Sequence, residues 1–350
     1  MSRTLITGAT GFIGCRLAEL WHAQGREVLG VGLVRNEVEA ERADALRSAG
    51  VPLLELDVTA GPELADDWHD VDTVIHLAAA QHEANAGEEY FVRTNVEATR
   101  ELLAVSERHG VKRLFYASSI GVYGAQSGVI DEDTPLAPDN AYGRSKAAAE
   151  AVAAEFLAGH PRLAVFVGRI GETYGPWDRR LHKVFAGIAK GRFWIVGKGD
   201  NLHQPIFVDD LVAAIERLLE TREAAGAPLI LAGDAAITTR DMCESIARAV
   251  GTRCSRLRVP MWPLAIAAAG MEATLGRLGI QPPLHRRRLD FFRKSLAFSA
   301  ERKRRLLALP PARSFEEGAR QTAEWYRQHG WLAPSPPART HGTESAPHHL

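Results

Sequence analysis

Apolar runs rich in β-branched residues recur along this chain, separated by longer segments whose apolar positions return every three or four residues. The first kind predicts buried strands and the second amphipathic helices. Strands are expected at residues 4–7, 27–33, 52–56, 73–77, 113–117, 164–169 and 229–232, and helices at 12–24, 37–48, 88–109, 141–157, 181–190, 209–221 and 238–249. Regular alternation of the two predicts an α/β fold, a doubly wound parallel sheet with helices on both faces. The sheet is expected over residues 1–175, with strands and helices returning at about 204–235. Shorter strands, longer loops and helices near 263–275, 300–307 and 315–329 predict a smaller mixed region over 176–332. From Ala333 onward Pro, Ser, Thr, Gly and His dominate, so 333–350 is expected to be a disordered tail.

Composition narrows the partner. With 42 Lys and Arg against 43 Asp and Glu, no global field draws nucleic acid or a membrane surface. The longest apolar stretch, Met261 to Met271, falls short of the roughly 20 residues that cross a bilayer and is expected to be a packed helix. Cys15, Cys243 and Cys254 are too few and scattered for a disulfide framework or a metal site. Reduced thiols, and a strand beginning almost at residue 1 without a signal region, fit a cytoplasmic protein acting on a small molecule.

The run Thr7-Gly8-Ala9-Thr10-Gly11-Phe12-Ile13-Gly14 follows the first expected strand and opens the first helix. That is the context of a dinucleotide loop in a Rossmann-type sheet. Gly8 permits the tight turn, Gly11 lets backbone amides reach a pyrophosphate, and Gly14 lets helix and strand approach. Thr10, Phe12 and Ile13 complete the cradle at the helix N-terminus. The second strand ends without a carboxylate, and Arg35 follows. A guanidinium suits a 2′-phosphate, so NADP(H) is favoured and NAD(H) remains possible. Asp57 and Val58 are expected beside the adenine, and Leu77, Ala78 and Ala79 along the cofactor's path.

Ser118 and Ser119 end the fifth strand, and Tyr142 and Lys146 stand four apart on the next helix, where they share a face. A Lys ammonium beneath a Tyr hydroxyl would favour the phenolate, and a Ser at the sheet's carboxyl edge can hold a carbonyl oxygen. The glycine loop, the Ser-Ser-x-x-x-Tyr-Gly run, the Tyr142/Lys146 pair and the Arg169 to Pro176 run together resemble the extended short-chain dehydrogenase/reductases, over about residues 3–332. These include nucleotide-sugar epimerases and dehydratases and the 3β-hydroxysteroid dehydrogenases, which the C-terminal segment resembles. The resemblance implies hydride transfer on a nicotinamide. It makes Ser119 the catalytic Ser, Tyr142 the acid/base and Lys146 the ribose-binding, pKa-lowering residue. It places Asn95 beside the site and implies a homodimer paired through the helices at 88–109 and 141–157.

Two departures bear on the branch. Ile120 and Gly121 stand where dehydratases of the family usually carry Asp-Glu, which argues against dehydration. His203 stands where nucleotide-sugar members usually carry a diphosphate-binding Arg, and a neutral His is a poor clamp. Arg179, Arg180, Lys183 or the Arg286-Arg287-Arg288 cluster could bind phosphate instead, and Trp177, Trp194, Phe193, Trp262 and Met261 could wall a less polar pocket. The expected activity is alcohol/ketone interconversion. A nucleotide-sugar 4-epimerase is the alternative, and a cofactor-sensing protein without turnover a third.

Overall fold

A computed structural model describes residues 3–59, 68–81, 87–255, 257–275 and 286–334. Seven strands form one sheet: β1 (Arg3–Thr7), β2 (Glu27–Gly32), β3 (Leu53–Glu55), β4 (Val71–His76), β5 (Arg113–Ser119), β6 (Ala164–Ile170) and β7 (Pro228–Leu231). Their order is β3-β2-β1-β4-β5-β6-β7, and every neighbouring pair is parallel. The order reverses between β1 and β4, which opens a crevice at their carboxyl ends.

Both faces of the sheet are covered, so its strands read as continuous apolar runs. Successive side chains still divide between two cores. Ile6, Phe115 and Phe166 pack with the helices Phe12–Ala23 and Val208–Glu220 on one face. Leu5, Leu114, Tyr116 and Val165 pack with Ala98–Arg108 and Ala141–Gly159 on the other. This is the strand period of two at work in a fully buried sheet.

A third core lies outside the sheet. Helices Arg179–Ala189, Thr239–Val250 and Phe315–Gln328 enclose Phe185, Ile246 and Tyr326, together with Tyr174 and Phe207. Short strand pairs tie this region in, with Thr173–Tyr174 against Ile206–Phe207 and Val129–Ile130 against Ala297–Phe298. The tail from residue 335 and the stretch 276–285 lie outside the described residues, as do the side chains of Arg286, Arg287 and Arg288.

The helix expected at 88–109 is interrupted. It runs as α-helix over Glu88–Val92, makes a π-helical turn over Arg93–Glu97, and resumes at Ala98–Arg108. A π turn inserts one residue into the helical repeat and commonly marks a functional position. Here it carries Asn95. The apolar helix, Met261–Leu275, is less packed than expected: Trp262 is 68% exposed and Ile266 66%.

Candidate active site

The glycine loop forms the near wall of the crevice. Gly8 has φ +71°, and a Cβ there would lie 2.7 Å from the backbone nitrogen of Ala78. Only glycine permits that approach of β1 to β4. A Cβ at Gly14 would collide with the Gly8 carbonyl, so the helix sits directly on the turn. Gly11 is the N-cap of that helix and offers no side-chain cap, leaving the first-turn amides to an anion.

A cavity of about 430 Å³ runs from Gly8, Phe12 and Ile13 to Ser119, Tyr142 and Lys146. A second, of about 140 Å³, continues from it past Gly8, Leu77 and Ala79 to Thr10, Gly11, Ala78, Asp57, Val58 and Arg35. The predicted loop, catalytic and adenosine-end residues therefore line one continuous groove.

Tyr142 lies in the first turn of Ala141–Gly159, whose N-cap Asn140 accepts from the Gly143 amide at 2.9 Å. The Ser119 side chain lies close to the Tyr142 ring, since a Cβ on Gly121 would meet Ser119 Oγ at 3.3 Å and Tyr142 Cε1 at 3.7 Å. The Ser119 Oγ accepts from the Gly121 amide at 3.1 Å, which leaves its own hydrogen for a ligand in the cavity it lines. Burial raises the Tyr142 phenol's pKa, while neighbouring Ser119 and the charge of Arg180 pull it back. Lys146 is buried with its ammonium 4.6 Å from the centre of the Tyr116 ring. No described residue accepts a hydrogen bond from it, and burial pushes its pKa down to about 7, against the pull of Glu150. A buried cation without an acceptor is costly.

Asn95 anchors this constellation. Its Oδ1 accepts from the Ala80 amide at 2.8 Å, and its Nδ2 donates to the Ala80 carbonyl at 3.0 Å and to Ser145 Oγ at 2.9 Å. Ser145 in turn donates to the Tyr142 carbonyl at 2.8 Å. Behind Ser119, Glu150 takes a hydrogen bond from Ser118 and pairs with buried Arg169 at 2.8 Å. Ser118 lines the cavity, but its hydroxyl is committed to that pair.

Of the other expected substrate residues, only Arg180 lines the cavity, donating to the Thr173 carbonyl at 2.9 Å. Trp177 is buried against Trp325 and Trp331, its indole N–H held by Glu19 at 3.0 Å, because the backbone there turns through φ +72° and carries the ring into the core. Trp194 and Trp262 face outward and line neither cavity. His203 is buried, with Nδ1 2.9 Å from Glu172 Oε2 and Nε2 2.9 Å from Thr239 Oγ1. It reaches the cavity only through Glu172, which does line it.

Glu172, Arg42 and Asp178 are cavity residues the sequence reading missed. Glu172 lies inside the Arg169 to Pro176 run, where a carboxylate between Gly171 and Thr173 is the only signal that sequence offers for it. Arg42 had no such signal: it comes from a polar helix and donates to the carbonyls of Thr10 at 3.3 Å and Trp177 at 2.8 Å. At the adenosine end Arg35 donates to Asp57 at 3.3 Å and to the Tyr90 hydroxyl at 3.2 Å, with Glu39 beside it.

A parallel sheet with a glycine cradle at its switch point, leading to a Ser-Tyr-Lys constellation, defines a nicotinamide-dependent enzyme of the extended short-chain dehydrogenase/reductase type. The chain belongs to the NAD dependent epimerase/dehydratase family, whose model matches residues 4–231. It is 30% identical to a dTDP-glucose 4,6-dehydratase of Streptomyces griseus over 95% of this chain and 97% of that protein. Among solved structures it is similar to UDP-glucuronic acid 4-epimerase from Bacillus cereus in complex with NAD, with TM-score 0.74, 20% identity, and 93% and 99% of the two chains covered. MoeE5 in complex with UDP-glucose and NAD gives TM-score 0.73 at 25% identity, covering 94% and 99%.

Proposed function

We propose that this enzyme interconverts a secondary alcohol and a ketone on a small hydroxyl-bearing substrate, using NAD(P)(H). The observation that carries this reading is the convergence of Ser119, Tyr142 and Lys146 on one cavity at the end of the glycine cradle, with no acceptor for the Lys146 ammonium among the described residues. The glycine cradle and that unmet ammonium fit a dinucleotide, with Lys146 as donor to its ribose. Bound there, the nicotinamide supplies the hydride acceptor or donor. Tyr142 takes the hydroxyl proton during oxidation and returns it during reduction. Ser119 donates to the substrate oxygen as its charge changes, a contribution worth about 3 kcal/mol by comparison with other oxyanion donors. Asn95 is a positioning residue, holding the turn that carries Tyr142.

Dehydration is a poor fit, because Ile120 and Gly121 offer no acid beside Ser119. The alternative is a nucleotide-sugar 4-epimerase, which oxidises and re-reduces one carbon. It is favoured by the solved relatives that hold NAD with UDP-sugars. Against it stands His203, engaged by Glu172 where a diphosphate clamp would need a cation.

For the cofactor, Arg35 supports the NADP(H) preference read from the sequence. At the same end Asp57 engages that guanidinium and Glu39 accepts from the Arg35 backbone amide, and both carboxylates would repel a 2′-phosphate. With NAD in the solved relatives, the balance favours NAD(H) as resident cofactor and NADP(H) as the weaker ligand. A cytoplasmic homodimer paired through Glu88–Arg108 and Ala141–Gly159 completes the proposal.

The test begins with nucleotide released from the purified protein, identified by mass and by absorbance near 340 nm. The protein is then incubated with UDP-glucose, UDP-glucuronic acid and a panel of secondary alcohols. Ketone with matching NADH gives the oxidoreductase, and a C4 epimer without net NADH gives the epimerase. Absence of bound or binding nucleotide would overturn both.

A further inference from the structure

The helix Met261–Leu275 is apolar on every side, a pattern that in a water-soluble fold belongs to a buried helix. Only part of it is buried. Ala268 is fully covered, whereas Trp262 and Ile266, one turn apart on a single face, are 68% and 66% exposed. The exposed surface extends beyond the helix. Arg258–Val259 pairs in parallel with Ile195–Val196, so the residues one step back, Leu257 and Trp194, lie side by side at 68% and 48% exposure. Two pairs of large apolar side chains thus face water, one beside the strand pair and one on the helix that follows it in the chain. Scattered singly they would need no explanation, but in pairs on consecutive segments they point to an interaction surface.

Charge identifies the partner. The chain as a whole has a formal charge of −1, yet residues 253–294 contain nine Lys and Arg against two Asp and Glu. Arg253 and Arg258 are exposed on the approach to the helix, and Arg293 on the helix Arg286–Arg293, which packs beside it. A protein partner or a second copy would be served by the apolar face alone. Tryptophan and isoleucine on segments flanked by exposed Arg253, Arg258 and Arg293 match an anionic lipid surface, where apolar side chains enter the headgroup boundary and guanidinium groups face the phosphates. No described helix is long and apolar enough to cross a bilayer, so the contact is with the surface.

We propose that the exposed side chains of Trp194, Leu257, Trp262 and Ile266 dock this enzyme reversibly on an anionic membrane surface. The near-neutral charge of the whole chain hid this at the level of the sequence, because the basic excess of residues 253–294 is cancelled elsewhere.

Flotation with lipid vesicles tests the idea on the full chain. Vesicles of phosphatidylcholine containing about 30% phosphatidylglycerol should carry the protein at least tenfold better than phosphatidylcholine alone. Raising NaCl from about 0.1 M to about 0.5 M should release most of it. The double variant Trp262→Ser/Ile266→Ser, whose altered side chains face water, should keep wild-type NADH binding and lose about tenfold or more in vesicle binding. Absence of flotation with anionic vesicles at low salt would overturn the proposal, as would undiminished flotation of the double variant. Sedimentation identifies the competing occupant: a wild-type assembly that Trp262→Ser/Ile266→Ser dissociates, with neither form floating, would give this face to a second copy.

Discussion

Asn95 and Ser145 share a hydrogen bond of 2.9 Å that joins the π turn of one helix to the first turn of the helix carrying Tyr142 and Lys146. Because Asn95 also bonds the backbone N–H and carbonyl of Ala80, one side chain fixes the loop that follows β4 and the catalytic helix relative to each other. Replacing Asn95 with Ala should cost about 2–4 kcal/mol, since it leaves buried partners on Ala80 unpaired. Thermal denaturation should register a drop of several degrees, and hydride transfer should fall more than nucleotide affinity. An unchanged melting temperature would remove Asn95 from this role.

Tyr142→Phe should lower hydride transfer by roughly 10²–10⁴-fold, the range for loss of a positioned acid/base. Nucleotide affinity should change little, since the ring remains. Single-turnover absorbance at 340 nm measures the first quantity and a fluorescence titration with NADH the second. Activity equal to wild type would mean that another group moves the proton.

Lys146 makes stability depend on pH. Its folded pKa, near 7, lies below the ordinary value of 10.5, so between these limits the unfolded chain binds more protons. Nucleotide-free protein should therefore gain stability as pH rises from about 7 towards 10.5, and the penalty of burying the charge is fully present below 7. Lys146→Met should flatten that part of the profile and be relatively most stable near pH 6. Melting temperatures of the two proteins across this range check the sign, and parallel profiles would count against a strained ammonium.

At the adenosine end, the wild type should bind NADH more tightly than NADPH. Arg35→Ala should weaken NADPH by about tenfold and leave NADH nearly unchanged, if the guanidinium is what a 2′-phosphate would meet. Glu39→Gln should move NADPH the other way by removing a like charge. Calorimetric titration of each variant with both nucleotides decides, and equal losses for the two would place Arg35 outside the ribose site.

Much of the fold was legible because its causes are local and repeated. Buried strands of a parallel sheet read as continuous apolar runs between amphipathic helices, and Gly8, Gly11 and Gly14 announce a backbone that only glycine can follow. The seven strands fall within a few residues of the expected ranges. The π turn at Asn95 was not legible, because a helix with one extra residue per turn keeps nearly the same apolar periodicity. Trp177 and His203 were misplaced because composition does not say which way a side chain turns. A left-handed backbone sends the indole into the core, and Glu172 together with Thr239 draws the imidazole beneath the cavity wall.

What the sequence determined by itself is the parallel α/β architecture, the nucleotide loop and the identity of the Ser, Tyr and Lys that meet beside it, since each rests on short-range pattern or residue chemistry. Tertiary structure decided which charges act on them. Arg180, from a different helix, pulls on the Tyr142 phenol, and Glu150 is shared among Ser118, Arg169 and Lys146. It also left Trp262 facing water. Electrostatic coupling and exposure depend on distances across the fold, and the chain closes those distances only when its strands assemble.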